Sequence, residues 1–327
     1  MIDYLSLTRT DWLNLADGYY RHLSDEFERL SSKDWKRQTS YLGWNACEVL
    51  LHMTSAIEIN FNHLTKLALS NKPVPEPGFN FFLRNADEVK KGSKSNVSDT
   101  IKQFRIEQEN FMNLMKNLSE NEWMKPAWFF IGDVNIRALF LVQLSDNIMH
   151  ERDLLIGPGY WKGFPSEYIA PLVDWFMREF RPAAFKKDTS EDLNLVVLHK
   201  LHGIGAGEWT MIIKDQNCYV EQGETSTPDI IIEADTEDLV AFSLARANPI
   251  WGKILRSLQW IVSVNKREDM VASITLYISM ASAFYSKRIR VTGDKLKIKK
   301  MRNAFWHFGQ RTLESEINIR NTSLLNF

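Results

Sequence analysis

The chain has 327 residues, of which 44% are hydrophobic and 25% charged, the balance of a globular protein long enough for two ordinary domains. Its 40 Lys and Arg nearly cancel its 41 Asp and Glu, so no bulk field recruits nucleic acid or an anionic membrane surface, and nucleic-acid binding is disfavoured. Cys47 and Cys218 are the two cysteines and lie far apart, which excludes a disulfide framework and a cysteine-based zinc site.

The N-terminus carries no basic region leading into an apolar one, so no secretory signal is expected and a cytoplasmic protein is the simplest reading. Thr10 with Asp11 can cap a first helix through Leu13, Ala16, Tyr19, Tyr20, Leu23, Phe27 and Leu30, ending near Ser31. Asp34 to Asn45 has no sustained period and reads as an ordered connection. Asn45 and Glu48 then match a capping box, Asn45 accepting from an orphan amide and Glu48 reaching back, for a second helix carrying Val49, Leu50, His52, Met53, Ala56, Ile57, Phe61 and Leu64. His52 alone interrupts its apolar face, whereas capping already explains Glu48. The proline-dense 71–78 breaks the chain, and 79–88 is expected to be irregular. A third helix runs from Asp99 to Leu118 behind a cap in 95–98, and Pro126 to Gly132 leads to a fourth, capped by Asp133 and closed at Gly157. Four helices with one long connection make a bundle.

The fourth helix sets ionisable groups into a run otherwise apolar enough to be core. At 3.6 residues per turn, Gln143, Asp146, His150 and Asp153 form one stripe flanked by Leu139, Phe140, Val142 and Leu154. Burying even a neutral polar group without a partner costs roughly 2–7 kcal/mol, so a hydrogen-bond network or a metal ion must satisfy them. Asp146 and His150 are spaced i, i+4 for chelation from one face, and a bundle can bring His52 to them. Three N/O ligands with an open position suit a catalytic zinc or another divalent ion, and Asp153 could orient His150 or replace a ligand. The competing reading is that these are satisfied core residues, because Asp-x-x-x-His recurs on many helices by chance. His22 and His63 sit among polar neighbours and are expected to contact water. No nucleophile elbow, phosphate-binding glycine loop or cysteine-based catalytic signature is present.

Trp35, Thr39 and Trp44, the segment from Trp44 to Met53 around His52, and Asp146-x-x-x-His150-x-x-Asp153-Leu154-x-x-Gly157 together resemble the DinB-like superfamily, with a nearer likeness to the N-terminal domain of the mycothiol-dependent maleylpyruvate isomerase family. The resemblance covers about the first half. It implies an all-α four-helix bundle over 1–157 in which His52, Asp146 and His150 hold a divalent metal, most simply zinc. Where the isomerase pattern has glutamate this chain has Asp146, one methylene shorter.

After Gly157-Pro158-Gly159 an aromatic linker, 160–165, leads to a helix from Tyr168 to Phe180 that Arg181-Pro182 closes. The period then becomes two, with Leu193, Leu195, Val197, His199 and Leu201 answered by Trp209, Met211 and Ile213. Gly203, Gly205 and Gly207 lie between these strands and open no helix, so they form a hairpin connection and not a dinucleotide fingerprint. Short strands follow at 218–221 and 229–233, then a helix from Thr236 to Ala245. His199 and His202 could contact a ligand, and an exposed strand face explains them as well. The segment 228–235, the helix after it, and Ser286 to Asp294 before a last helix resemble the sterol carrier protein type-two fold over 168–312. That likeness implies an α+β domain with an antiparallel sheet and helices shielding an apolar cavity. Two helices, 250–264 and 268–283, read as an insertion at 248–285 serving as core or dimer surface, with a ligand lid as the alternative, and the 313–327 tail is polar until its last residues. The apolar run Met270 to Tyr285 falls short of the roughly 20 residues of a membrane-spanning helix.

The two resemblances occur in the order found in the isomerase family. They imply a metal-dependent isomerase or transferase acting on a small organic, possibly apolar, substrate with help from a low-molecular-weight thiol. Two alternatives stay open: a non-catalytic carrier of a lipid or other apolar molecule, and a natural-product tailoring enzyme such as a cyclase without metal chemistry. Oligomeric state is not legible in the sequence.

Overall fold

The computed structural model describes residues 4–39, 44–76, 79, 81–129, 132–185, 192–225, 227–243 and 289–305, and these are mostly helical, with a mixed five-stranded sheet and a small antiparallel one. They cluster into two compact units, one built from Leu7–Lys162 and the other from residues 4–6 with the described residues from Gly163 onward. The expected helices at 250–264 and 268–283, and the tail at 313–327, lie outside the described residues.

In the first unit, caps decide where helices start. Helix α1 (Arg9–Arg29) begins behind Thr8, not Thr10, because Thr8 stands three residues before Asp11 and the two close a reciprocal box, Asp11 N to Thr8 Oγ1 at 3.2 Å and Thr8 N to Asp11 Oδ2 at 2.8 Å. The same spacing, Ser31 to Asp34, makes a one-turn helix, α2 (Ser32–Trp35), in what was expected to be a connection. Helix α3 (Ala46–Ser55) starts at the Asn45–Glu48 box as expected, with bonds of 2.8 and 3.0 Å. It continues through a π-helical turn, Ala56–Phe61, into α4 (Asn62–Leu69). Helix α5 (Phe81–Gly92) replaces the irregular stretch expected at 79–88. Its Phe81, Asn85 and Val89 are buried at i, i+4 and i+8, and Asn85 Oδ1 accepts from Asn60 Nδ2 at 2.9 Å. That partnership with a buried asparagine of the π turn is tertiary.

Helix α6 (Val97–Lys116), capped by Asn96, and the one-turn α7 (Glu120–Trp123) follow. Strands β1 (Pro126–Phe129) and β2 (Gly132–Asn135) pair antiparallel where a plain connection was expected. Asp133 therefore sits in the hairpin opposite Trp128, and Asn135 caps α8 (Ile136–Ile156) instead, its Oδ1 accepting from Ala138 N at 2.8 Å. The long helices bury Trp12, Tyr19 and Phe27 of α1, Leu50 and Met53 of α3, Phe104 and Phe111 of α6, and Leu139 and Phe140 of α8. Each such side chain contributes about 1.5–3 kcal/mol by leaving water.

In the second unit, α9 (Ser166–Trp175) passes through a π turn, Phe176–Phe180, into α10 (Arg181–Ala183), so the helix runs past Arg181-Pro182 instead of closing there. Pro182 stands directly after the π segment, at the start of α10. Strands β3 (Leu195–His202), β4 (Gly207–Lys214) and β5 (Asn217–Gln222) form a meander. Strand β6 (Ile230–Asp235) then returns on the far side of β3 and runs parallel to it, giving the order β5-β4-β3-β6-β7. The sheet is thus mixed, not antiparallel throughout. Helix α11 (Thr236–Ser243), β7 (Ile289–Gly293) and α12 (Lys295–Asn303) complete the described residues. Gly203 and Gly205 turn the β3–β4 hairpin with φ of 80° and 74°. Among the described residues no helix is long and apolar enough to cross a membrane.

Candidate metal centre

Helix α8 carries four polar residues of the expected stripe, and the structure divides them. Gln143 faces α1, where its Oε1 accepts from the Tyr20 hydroxyl, and Asn147 Nδ2 donates to the same hydroxyl at 3.4 Å. Asp146 and His150 face α3. Asp146 Oδ2 lies 3.6 Å from His52 Nε2, and Asp146 Oδ1 lies 3.5 Å from His150 Nε2. One ligand atom from each of His52, Asp146 and His150 can be chosen so that all lie within 4.8 Å of one another. The fourth residue, Asp153, is behind the His150 ring, its Oδ2 accepting from Nδ1 at 3.0 Å.

Local sequence explains the convergence. The Asn45–Glu48 box fixes the start of α3 and hence puts His52, two turns in, on its buried face. The i, i+4 spacing does the same for Asp146 and His150 on α8. The imidazole rings of His52 and His150 meet edge to face with centroids 4.7 Å apart, and the Trp44 ring packs on the other side of His52 at 5.1 Å. The side chains of His52, His150 and Asp153 are 9%, 1% and 0% exposed, whereas that of Asp146 is 28% exposed, so the group opens to solvent at Asp146.

Burial disfavours the Asp146 carboxylate, but His150 and His52 outweigh that effect and hold its pKa well below the usual carboxylate range. Asp146 is therefore anionic at neutral pH. With Nδ1 of His150 directed to Asp153, Nε2 is the ring nitrogen that faces Asp146.

Donors about 2.1 Å from a tetrahedral ion stand about 3.4 Å from one another, and each histidine has one oxygen of Asp146 near that spacing, Oδ2 at 3.6 Å from His52 and Oδ1 at 3.5 Å from His150, so a small inward movement of the three side chains closes on a divalent cation. Two imidazoles and one carboxylate form a donor set common to catalytic zinc, with one acidic charge to offset the ion.

Gln143 instead belongs to a second polar line on α8, with Asn147 and Glu151, neither of which was expected to be buried. Glu151 is buried and accepts from His22 Nε2 at 2.8 Å, so His22 is held by a buried carboxylate instead of merely contacting water. His63 likewise lies 3.3 Å from Glu76. The i, i+4, i+8 spacing of Gln143, Asn147 and Glu151 was the available signal. In the other unit His199 is wholly buried, which removes the exposed-strand explanation, while His202 is exposed and pairs with Glu233 at 3.0 Å.

Fold and site together describe a mostly helical protein with a mixed five-stranded sheet and a buried pair of histidines fronted by an acid. Among solved structures the chain is similar to mycothiol-dependent maleylpyruvate isomerase, at 14% identity and a TM-score of 0.52 over 76% of this chain and 94% of that one. A histidine-to-alanine variant of the same enzyme gives 0.51 at 14% identity, over 76% and 93%. A probable metal-dependent hydrolase from Bacillus subtilis, described as a four-helix bundle of unusual topology, aligns over 48% of this chain and 92% of its own at 14% identity, and its TM-score of 0.39 is too low to bear on the assignment. At these identities the likeness to the isomerase is one of fold alone. No protein-family model matches the chain, and no curated protein sequence does.

Proposed function

We propose that this protein is a metal-dependent enzyme whose ion is held by His52, Asp146 and His150, with Asp153 orienting His150. The observation that carries the reading is the mutual approach of three ligating atoms from two helices, fronted by a carboxylate that is charged at neutral pH. The fold similarity to an isomerase supports it. A divalent ion in this position would act as a Lewis acid on a substrate oxygen and lower the pKa of a bound thiol or water.

The chain's own residues supply the rest. Asp153 keeps the His150 ring in one tautomer and one orientation. Trp44 covers His52 on one side, which excludes water there and leaves the approach along Asp146. The reaction class this arrangement supports best is thiol-assisted isomerisation or transfer on a small organic substrate, because an open, partly solvated position beside the acid can admit a thiol and a substrate oxygen in turn.

Metal analysis of the purified full chain tests the first step. The expected result is close to one divalent ion per chain, lost in both His52→Ala and His150→Ala. Absence of metal from the unmutated protein after zinc has been offered would end the reading. Cobalt-substituted protein tests the second: addition of a low-molecular-weight thiol should produce thiolate-to-cobalt absorption, and an unchanged spectrum would remove thiol assistance while leaving the metal site in place.

A further inference from the structure

The second unit holds a basic pair that nothing in the metal reading uses. His199 lies in the middle of β3, paired with Trp209 of β4 on one side and Ile232 of β6 on the other. Its side chain shares a sheet face with Leu195, Val197 and Met211, all buried. Helix α9 covers that face, as shown by the bond from Trp209 Nε1 to Asp174 Oδ1 at 3.1 Å. The Trp209 backbone lies beside the His199 ring, yet neither ring nitrogen makes a well-formed hydrogen bond.

Arg181 lies just beyond the π turn that follows α9, and that turn and α10 pack on β5, the neighbour of β4. The Arg181 Cζ stands 5.0 Å over the Phe305 ring, and its buried Nε has no hydrogen-bond partner among the described residues. Among the described residues no carboxylate pairs with it. Asp174 of α9 is already taken by Arg178, whose Nε donates at 2.9 Å, and by Trp209. Burial pushes the nearby Cys218 thiol up to about 12, so that group brings no negative charge. Burial, with the Arg181 charge beside it, holds His199 neutral, its pKa lowered to about 3.

A guanidinium with a buried, unpartnered nitrogen and a neutral imidazole whose one N–H makes no well-formed bond, set among apolar side chains, are donors without an acceptor. Such groups are costly unless something accepts from them. An oxyanion answers both, because the planar guanidinium fork matches the oxygens of a carboxylate or phosphate and a neutral imidazole can donate one further bond. We propose that Arg181 and His199 form an oxyanion site on the helix-covered face of the five-stranded sheet, taking the carboxylate or phosphate group of a small ligand. Arg181 is only partly buried, which leaves the site a solvent-facing side. This inference is independent of the metal centre.

Calorimetric titration of the full chain with sodium phosphate and with sodium octanoate, at ionic strength held constant with chloride, tests it. At least one anion should bind saturably. Arg181→Gln should weaken that binding at least tenfold, and Arg181→Lys, which keeps the charge but loses the fork, should fall between. His52→Ala should bind as the unmutated chain does, so that failure of the metal reading and failure of this one are distinguishable. Response to phosphate alone would assign an inorganic or phosphorylated ligand, and response to octanoate alone a carboxylate on an apolar body. If neither anion binds saturably, or if Arg181→Gln binds as tightly as the parent, the proposal is wrong. A thermal melt supplies the second measurement: Arg181→Gln without anion should melt no lower than the parent, whereas a marked drop together with no anion response would make Arg181 purely structural.

Discussion

His150 Nδ1 and Asp153 Oδ2 are 3.0 Å apart, both side chains essentially sealed from solvent, one turn from each other on α8. The pair fixes the imidazole before any ion arrives. Asp153→Asn keeps the shape but removes the anionic acceptor, so zinc affinity should fall by about 10–100-fold. Competition against a chelating dye would read this directly, and equal affinity would show that Asp153 does not act through His150.

Asn45→Ala removes the acceptor for Glu48 N and frays the start of the helix that presents His52. The expected loss is about 1 kcal/mol of unfolding free energy. Urea denaturation measures it. Metal stoichiometry should be retained, since His52 lies two turns beyond the cap.

Gly293 has φ of 140°, and a Cβ there would stand 2.5 Å from the Asp229 carbonyl oxygen on the neighbouring strand. Gly293→Ala should therefore cost about 1–3 kcal/mol for the backbone conformation, with the clash in addition. A urea midpoint unchanged from the parent would refute this account of the β6–β7 edge.

Acid sensitivity should carry a signature of His199. Its folded pKa is lowered to about 3 from an ordinary 6.5 by burial and the nearby Arg181 charge. Between those values the unfolded chain binds a proton that the folded one does not. The stability is present above about pH 6.5 and is lost as pH falls toward 3, at up to roughly 1.4 kcal/mol per pH unit. Unfolding free energies at pH 7, 6 and 5 should decline more steeply for the parent than for His199→Gln. Parallel curves would mean that His199 is not held neutral.

Much of this arrangement was legible because it is local. The Asn45–Glu48 box, the burial of His52 on an otherwise apolar face, the i, i+4 pairing of Asp146 with His150 and the period-two runs of β3 and β4 all follow from spacings within one element. Helix starts at Thr8 and Asn135 were missed by two residues because two capping residues stood close together at each, Thr8 being selected by its box with Asp11 and Asn135 by the hairpin that takes up Asp133.

What the sequence by itself determined is which residues repeat with helical or strand period, and hence that His52, Asp146, His150 and Asp153 sit where burial would demand partners. Only the tertiary structure decided who those partners are. Gln143 turned to Tyr20, Glu151 to His22, and His52 came to Asp146, each because two helices distant in sequence pack face to face. The parallel placement of β6 beside β3 is of the same kind. Period fixes the face a side chain occupies, but the element that meets that face is set by packing across the whole core.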